Sequence, residues 1–121
     1  MKQIQLVEAY KTLKKMANIP MDITTSFKLM KLKKRLEEYY QFEEQEETKM
    51  FKEFHGELIN DGKSMQFPTQ EDANAFSKKW QELKDMEVEI EIEPIPVMLD
   101  QDIRLTIQDM EALDGFIQFI E

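Results

Sequence analysis

Between residues 3 and 17 the apolar positions Ile4, Leu6, Val7, Tyr10, Leu13 and Met16 recur at mixed spacings of three and four, which is one stripe of an amphipathic helix. Lys11, Lys14 and Lys15 fall on the other face, and the lysines near the C-terminal end suit the negative end of the helix dipole. The stretch NIPMDITTS interrupts the pattern, because Pro20 pushes the residue before it out of the helical region. Asp22 or Thr24 then serves as N-cap of a second helix. From Ser26 to Phe54 there is neither Gly nor Pro, and Glu, Lys, Leu and Met dominate. The pattern predicts one helix of about 28 residues, roughly 42 Å long. Its apolar residues gather towards the two ends, while EEQEE at 43–47 has none. The middle is therefore either exposed all round, and open to a homodimer contact, or the point at which the helix breaks. Heptad steps from Leu29 and Leu36 land on Glu43, so a continuous coiled-coil seam is not written there.

Beyond this helix the period changes. Gly56 is placed to end it, with His55 a favourable charge at its C-terminus. Asp61-Gly62 reads as a two-residue hairpin turn between short strands near 58–59 and 65–67. Thr69, followed by acids at 71 and 72, opens a third helix with Ala73, Phe76, Trp80 and Leu83 on one face, expected to pack through Trp80. EVEIEIEPIPV at 87–97 alternates glutamate with branched residues, which is strand periodicity over 87–93. Pro94 and Pro96 lack a donor, so pairing is expected to stop there or the strand to lie at an edge. LDQDIRLT supplies a returning partner strand through Ile103 and Leu105. Thr106 with Asp109 forms a variant capping box for a last helix with the stripe Ile107, Met110, Leu113, Ile117 and Ile120, and Gly115 allows close packing or a bend.

The elements add up to an α+β protein, mainly helical, with an N-terminal helix, a long helix, two further helices and a small antiparallel sheet of short hairpins. The 121 residues suit one domain. Within it, 1–56 is a helical hairpin with a basic first part, and 57–121 is a hairpin–helix–hairpin–helix unit. Charge adds an asymmetry that the net value of -9 hides. Residues 1–35 carry nine bases and two acids, or +7, and residues 36–121 carry seven bases and 23 acids, or -16. The two parts attract, and the simplest arrangement sets them side by side in the fold or in a dimer.

Composition narrows the chemistry. With no Cys there is no thiol nucleophile, disulfide framework or zinc-finger spacing. One His, three serines with no base at a recognisable spacing, and three isolated glycines leave no catalytic triad, P-loop or dinucleotide fingerprint. The reading is of a protein that is not an enzyme and has no catalytic, cofactor-binding or metal site. Strand glutamates two apart sit roughly 6.5 to 7 Å from each other, whereas calcium needs several oxygens at about 2.3 to 2.6 Å. Even with Asp100 and Asp102 nearby, DQD lacks the ligand series of a calcium loop. The nine methionines fall mostly on expected inner faces. Apolar runs of about five residues fall far short of the ~20 that cross a bilayer, so the expectation is a soluble, intracellular protein without membrane contact.

Two surfaces remain as candidates. Glu43, Glu44, Glu46 and Glu47 with Glu87, Glu89, Glu91 and Glu93 form an acidic set suited to a basic partner. Lys28, Lys31, Lys34 and Arg35 form a stripe that suits phosphates, although a sequence pI near 4.7 argues against nucleic acid.

The N-terminal helix, TTSFKLMKLKKRLEE, the polar helical middle, the DG turn, LKDMEVEIEIEPI and LTIQDMEALDGFI together resemble a family of small uncharacterised proteins encoded by tailed phages and prophages of Gram-positive bacteria. The resemblance spans nearly the whole chain and implies a phage protein acting in the cytoplasm of the bacterial host, with no functional residue to carry over. The expected function is a protein–protein interaction module in particle assembly or host takeover, with a phage or host protein as partner. The alternatives are an acidic nucleic-acid-mimicking inhibitor of a host defence or nucleic-acid-processing enzyme, and a nucleic-acid binder through 28–35.

Overall fold

The computed structural model describes residues 1–99 and 103–121; Asp100 and Asp102 lie outside them. The described residues form, in chain order, α1 (Gln3–Lys15) ending in a 3₁₀ turn (Met16–Asn18), α2 (Ile23–Glu53), β1 (Glu57–Ile59), β2 (Ser64–Gln66), α3 (Gln70–Asp85), β3 (Ile95–Met98), α4 (Ile107–Ala112) and β4 (Ile117–Ile120). The fold is α+β and mainly helical, as the sequence pattern predicts.

Helix α1 is the hub, packing on α2, α3 and α4. Its stripe was wide enough in the sequence for this: Leu6, Val7, Ala9, Tyr10 and Leu13 are all buried, and only the lysine face is open. The core that forms around it adds Leu32 and Leu36 from α2, Val97 from β3, and Leu113, Phe116 and Ile117 from the C-terminal segment. Both halves of the chain thus contribute to one core.

Helix α2 runs unbroken through 43–47, at 31 residues or about 46 Å. Asp22 caps it: its carboxylate accepts from the Thr25 amide at 3.1 Å and from Thr25 Oγ1 at 2.6 Å. These bonds, the hydroxyl first, hold the Asp22 carboxyl below its usual range. At the other end the Gly56 amide donates to Phe51 O and the His55 amide to Lys52 O, the two bonds of a Schellman motif. The left-handed residue is His55 (φ 58°), not the expected glycine. Gly56 is needed for a different reason, since a Cβ there would stand 2.2 Å from the Phe51 ring. That ring belongs to a second, smaller cluster at the far end of α2, where Phe51, Phe67, Phe76 and Trp80 have neighbouring centroids 5.0 to 6.5 Å apart. Phe76 is the buried anchor of α3, with Trp80 only half-buried on top of it.

Further readings of the sequence are corrected. The β1–β2 hairpin is antiparallel, but its loop spans residues 60–63, with Asn60, Asp61 and Gly62 all at positive φ. Residues 87–93 do not form a ladder. Only their beginning pairs with the chain start, through Val88 N to Met1 O at 2.7 Å and the Met1 ammonium to Val88 O at 3.0 Å. The regular strand is β3, which lies beyond Pro94 and contains Pro96. It pairs with β4 in parallel, Ile95 opposite Ile117, so the second pair is no hairpin. Ile95 and Leu99 donate to Phe116 O and Ile120 O, which puts the missing donor of Pro96, one residue out of phase, on the edge away from β4. Finally, the last helix stops at Ala112, and Gly115 (φ 83°) turns the chain into β4. The β-branched and aromatic run FIQFI favours that outcome. The capping box is present as expected: Asp109 N donates to Thr106 Oγ1 at 3.0 Å and Thr106 N to Asp109 Oδ2 at 3.2 Å.

Candidate interaction surface

The N-terminal half of α2 carries two apolar stripes instead of one. Leu29, Leu32 and Leu36 face α1 and β3 and join the core. Ile23, Phe27 and Met30, four and three residues apart, project from the opposite side. They are 88%, 53% and 41% exposed, against 0% for Leu36. Lys34 continues this outer crest by one further turn, and the Lys31 ammonium sits 4.9 Å from the Phe27 ring centroid. That contact is worth roughly 0.5–1 kcal/mol at an exposed site, and it holds the ring against the helix.

Each flank of the crest borders a depression. On the α1 side is an apolar cleft of about 250 Å³, with Leu13, Met16, Ile19, Met21 and Leu29 inside and Met30 and Lys33 at its lining. The loop forced by Pro20 builds it by carrying Ile19 and Met21 over the end of α1. On the other side a wider, open groove of about 820 Å³ separates α2 from the segment 91–96. Lys28, Lys31 and Arg35 line one wall, Glu91 and Glu93 the other, with Leu32, Ile92 and Ile95 also lining it. The Arg35 guanidinium donates to Glu91 O at 2.9 Å, fastening the segment to the helix.

Three of the four basic residues and two of the eight glutamates named from the sequence therefore meet across one groove, the side-by-side placement that the charge asymmetry predicts. Lys34 stands apart on the crest. The remaining glutamates are dispersed. Glu87 lies 3.5 Å from the N-terminal ammonium and, like Glu89, points to solvent. Val88, Ile90 and Ile92 pack on the core between the exposed glutamates, so the period of two holds even without a ladder.

In the helical run the period of 3.6 separates the acids. Glu43 is buried at 7% exposure and is no part of an acidic surface. Burial raises its carboxyl above the usual range, with Lys11 and Lys84 opposing the rise and Glu47 and Glu8 adding to it. Glu44 accepts from the Tyr40 hydroxyl at 2.6 Å, and Tyr40 stacks on Tyr10 at 4.9 Å. That hydrogen bond, with burial second, raises the Tyr40 phenol. Glu46 pairs with Lys49 at 3.1 Å, and Glu47 is half-buried one turn beyond Glu43. The middle of α2 is thus neither a break nor a helix exposed all round, because α1 and α3 cover one side of it.

The crest is not evident from composition alone, because the predicted helix begins at Ser26, after Ile23, and the apolar residues at that end are not divided between faces. The signal was there: Ile23, Phe27 and Met30 lie about half a turn from Leu29, Leu32 and Leu36, and one face cannot hold both sets. Among the described residues no group of three or more His, Asp or Glu side chains is gathered for a metal ion, and no helix is long and apolar enough to cross a membrane. No family model, curated protein or solved structure matches the chain.

Proposed function

We propose that this is a small, non-enzymatic, phage-encoded protein that binds another protein, from phage or host, during particle assembly or host takeover inside the bacterial cell. The observation that carries the binding role is the crest. An apolar ridge of Ile23, Phe27 and Met30 on a helix whose other face already fills the core has no folding task to perform. Apolar ridges rimmed by charge mark protein-binding surfaces more often than chance exposure does. The phage setting rests on the resemblance of the sequence segments given above. The acidic-mimic alternative loses ground, because Glu43 is buried and Glu91 and Glu93 stand opposite lysines and an arginine.

The test is affinity capture from phage-infected host cells with three baits: the unmodified chain, the double variant Ile23→Ser with Phe27→Ser, and Leu58→Ser as control. Leu58 is 63% exposed but lies on β1 at the far end of α2. The unmodified chain and the control are expected to retain the same partner and the double variant to lose it. Equal capture by all three baits would remove the crest from the account.

A further inference from the structure

We infer that the crest and the apolar cleft beside it receive one acidic amphipathic helix of the protein partner. This rests on the interaction reading above and adds the chemistry of what binds. Two features of α2 lead to it.

The first is shape. Ile23, Phe27 and Met30 make a ridge with the four–three spacing of a helix-packing seam, and Met30 also lines the cleft. A ridge and a groove running side by side along one helix take a second helix laid along them, with one large apolar side chain dropping into the cleft.

The second feature is charge. Between Asp22 and Glu37 there is no acidic residue, and the five charged side chains in that span are all basic: Lys28, Lys31, Lys33, Lys34 and Arg35. They border the apolar strip on both sides, Lys33 at the cleft and Lys28 and Lys31 at the groove, where Glu91 and Glu93 on the opposite wall offset part of their charge. Asp22 is occupied with its own helix, accepting from Thr25. The complement of an apolar strip with cationic edges is an apolar strip with carboxylate edges. A second copy of this chain fits less well, since a symmetric contact across the crest sets two all-basic segments against each other. An anionic membrane would attract the same lysines, but a bilayer surface offers no single large side chain to drop into the cleft lined by Leu13, Met16, Leu29 and Met30.

The experiment uses the full chain and three probes. One is a synthetic peptide of about 18 residues, roughly 27 Å of helix, with Leu and Phe on one face and Glu on both borders. The second is the same peptide with every Glu replaced by Lys, and the third is a phosphatidylglycerol–phosphatidylcholine vesicle. Binding is read by calorimetry and by the methionine methyl resonances. The acidic peptide is expected to bind at least about tenfold more tightly than the basic one, a difference of about 1.4 kcal/mol. It is also expected to weaken with salt, to shift the methyls of Met16, Met21 and Met30 while sparing Met65 on β2, and to lose about tenfold or more with Phe27→Ser. No binding of the acidic peptide, equal or better binding of the basic one, binding to vesicles instead, or shifts confined to sites away from the crest would overturn the inference. The two levels separate cleanly. If cell-derived capture depends on the crest but the acidic peptide shows no preference, the partner chemistry is wrong; if capture ignores the crest, the interaction site itself is wrong.

Discussion

The two faces of α2 between Ile23 and Leu36 are built from similar residues and have opposite fates. On the inner face Leu29, Leu32 and Leu36 pack against α1 and β3; on the outer face Ile23, Phe27 and Met30 meet water. Hydrophobicity alone does not separate them. What separates them is whether another element of the same chain arrives to cover the face. The inner stripe is accounted for by folding and the outer one is not, so the second is where a function in binding is to be sought.

This contrast makes graded predictions for stability. Leu36→Ala removes a fully buried side chain and is expected to cost about 2 to 5 kcal/mol in urea unfolding, while leaving partner binding intact wherever the variant is folded. Glu43→Gln, further along the inner face, is expected to raise stability modestly at neutral pH. The sign follows from the direction of its shift: burial raises the folded carboxyl above its unfolded value, so the folded state binds more protons between the two. The stability of the unmodified chain therefore falls as pH rises through that interval. The advantage of the glutamine is greatest above it and disappears below the ordinary glutamate range, which unfolding curves across pH would show. A variant less stable than the parent at neutral pH would mean that Lys11 and Lys84 outweigh burial. The crest variant Ile23→Ser with Phe27→Ser is expected to stay within about 0.5 kcal/mol per site, in contrast to Leu36→Ala, and a loss of several kcal/mol would erase the distinction between the faces. Smallest of all, Lys34→Ala should leave unfolding unchanged and only weaken the salt dependence of binding, as a charge at the rim does.

How far the sequence reveals this depends on the kind of signal. Helix starts were legible because a cap is a local bond: Asp22, Thr69 and Thr106 all accept from the third residue on. The extent of α2 was legible from the lack of any breaker, but its continuity through 43–47 was not, because EEQEE has no apolar position to show which side is covered. The outward glutamates at 87–93 were legible from the period of two, yet the lack of a ladder there was not, because pairing needs a partner and periodicity names none. Ile117 suited either a helical stripe or a strand, and only Gly115 marked where the change occurs. Glu43 looked like solvent-facing charge until α1 and α3 covered it. The candidate site was legible in part. The charge asymmetry anticipated that Lys28, Lys31 and Arg35 would sit near acids, but the crest shows itself only once the inner face of α2 has been assigned to the core.

The most direct test of the outer face is photo-crosslinking in cells that express the protein, with benzoylphenylalanine placed at position 27 on the crest or at position 58 on β1. A covalent adduct with one discrete partner protein is expected from position 27 and none from position 58. An adduct from position 58 with none from position 27 would mean that the crest is not the binding surface.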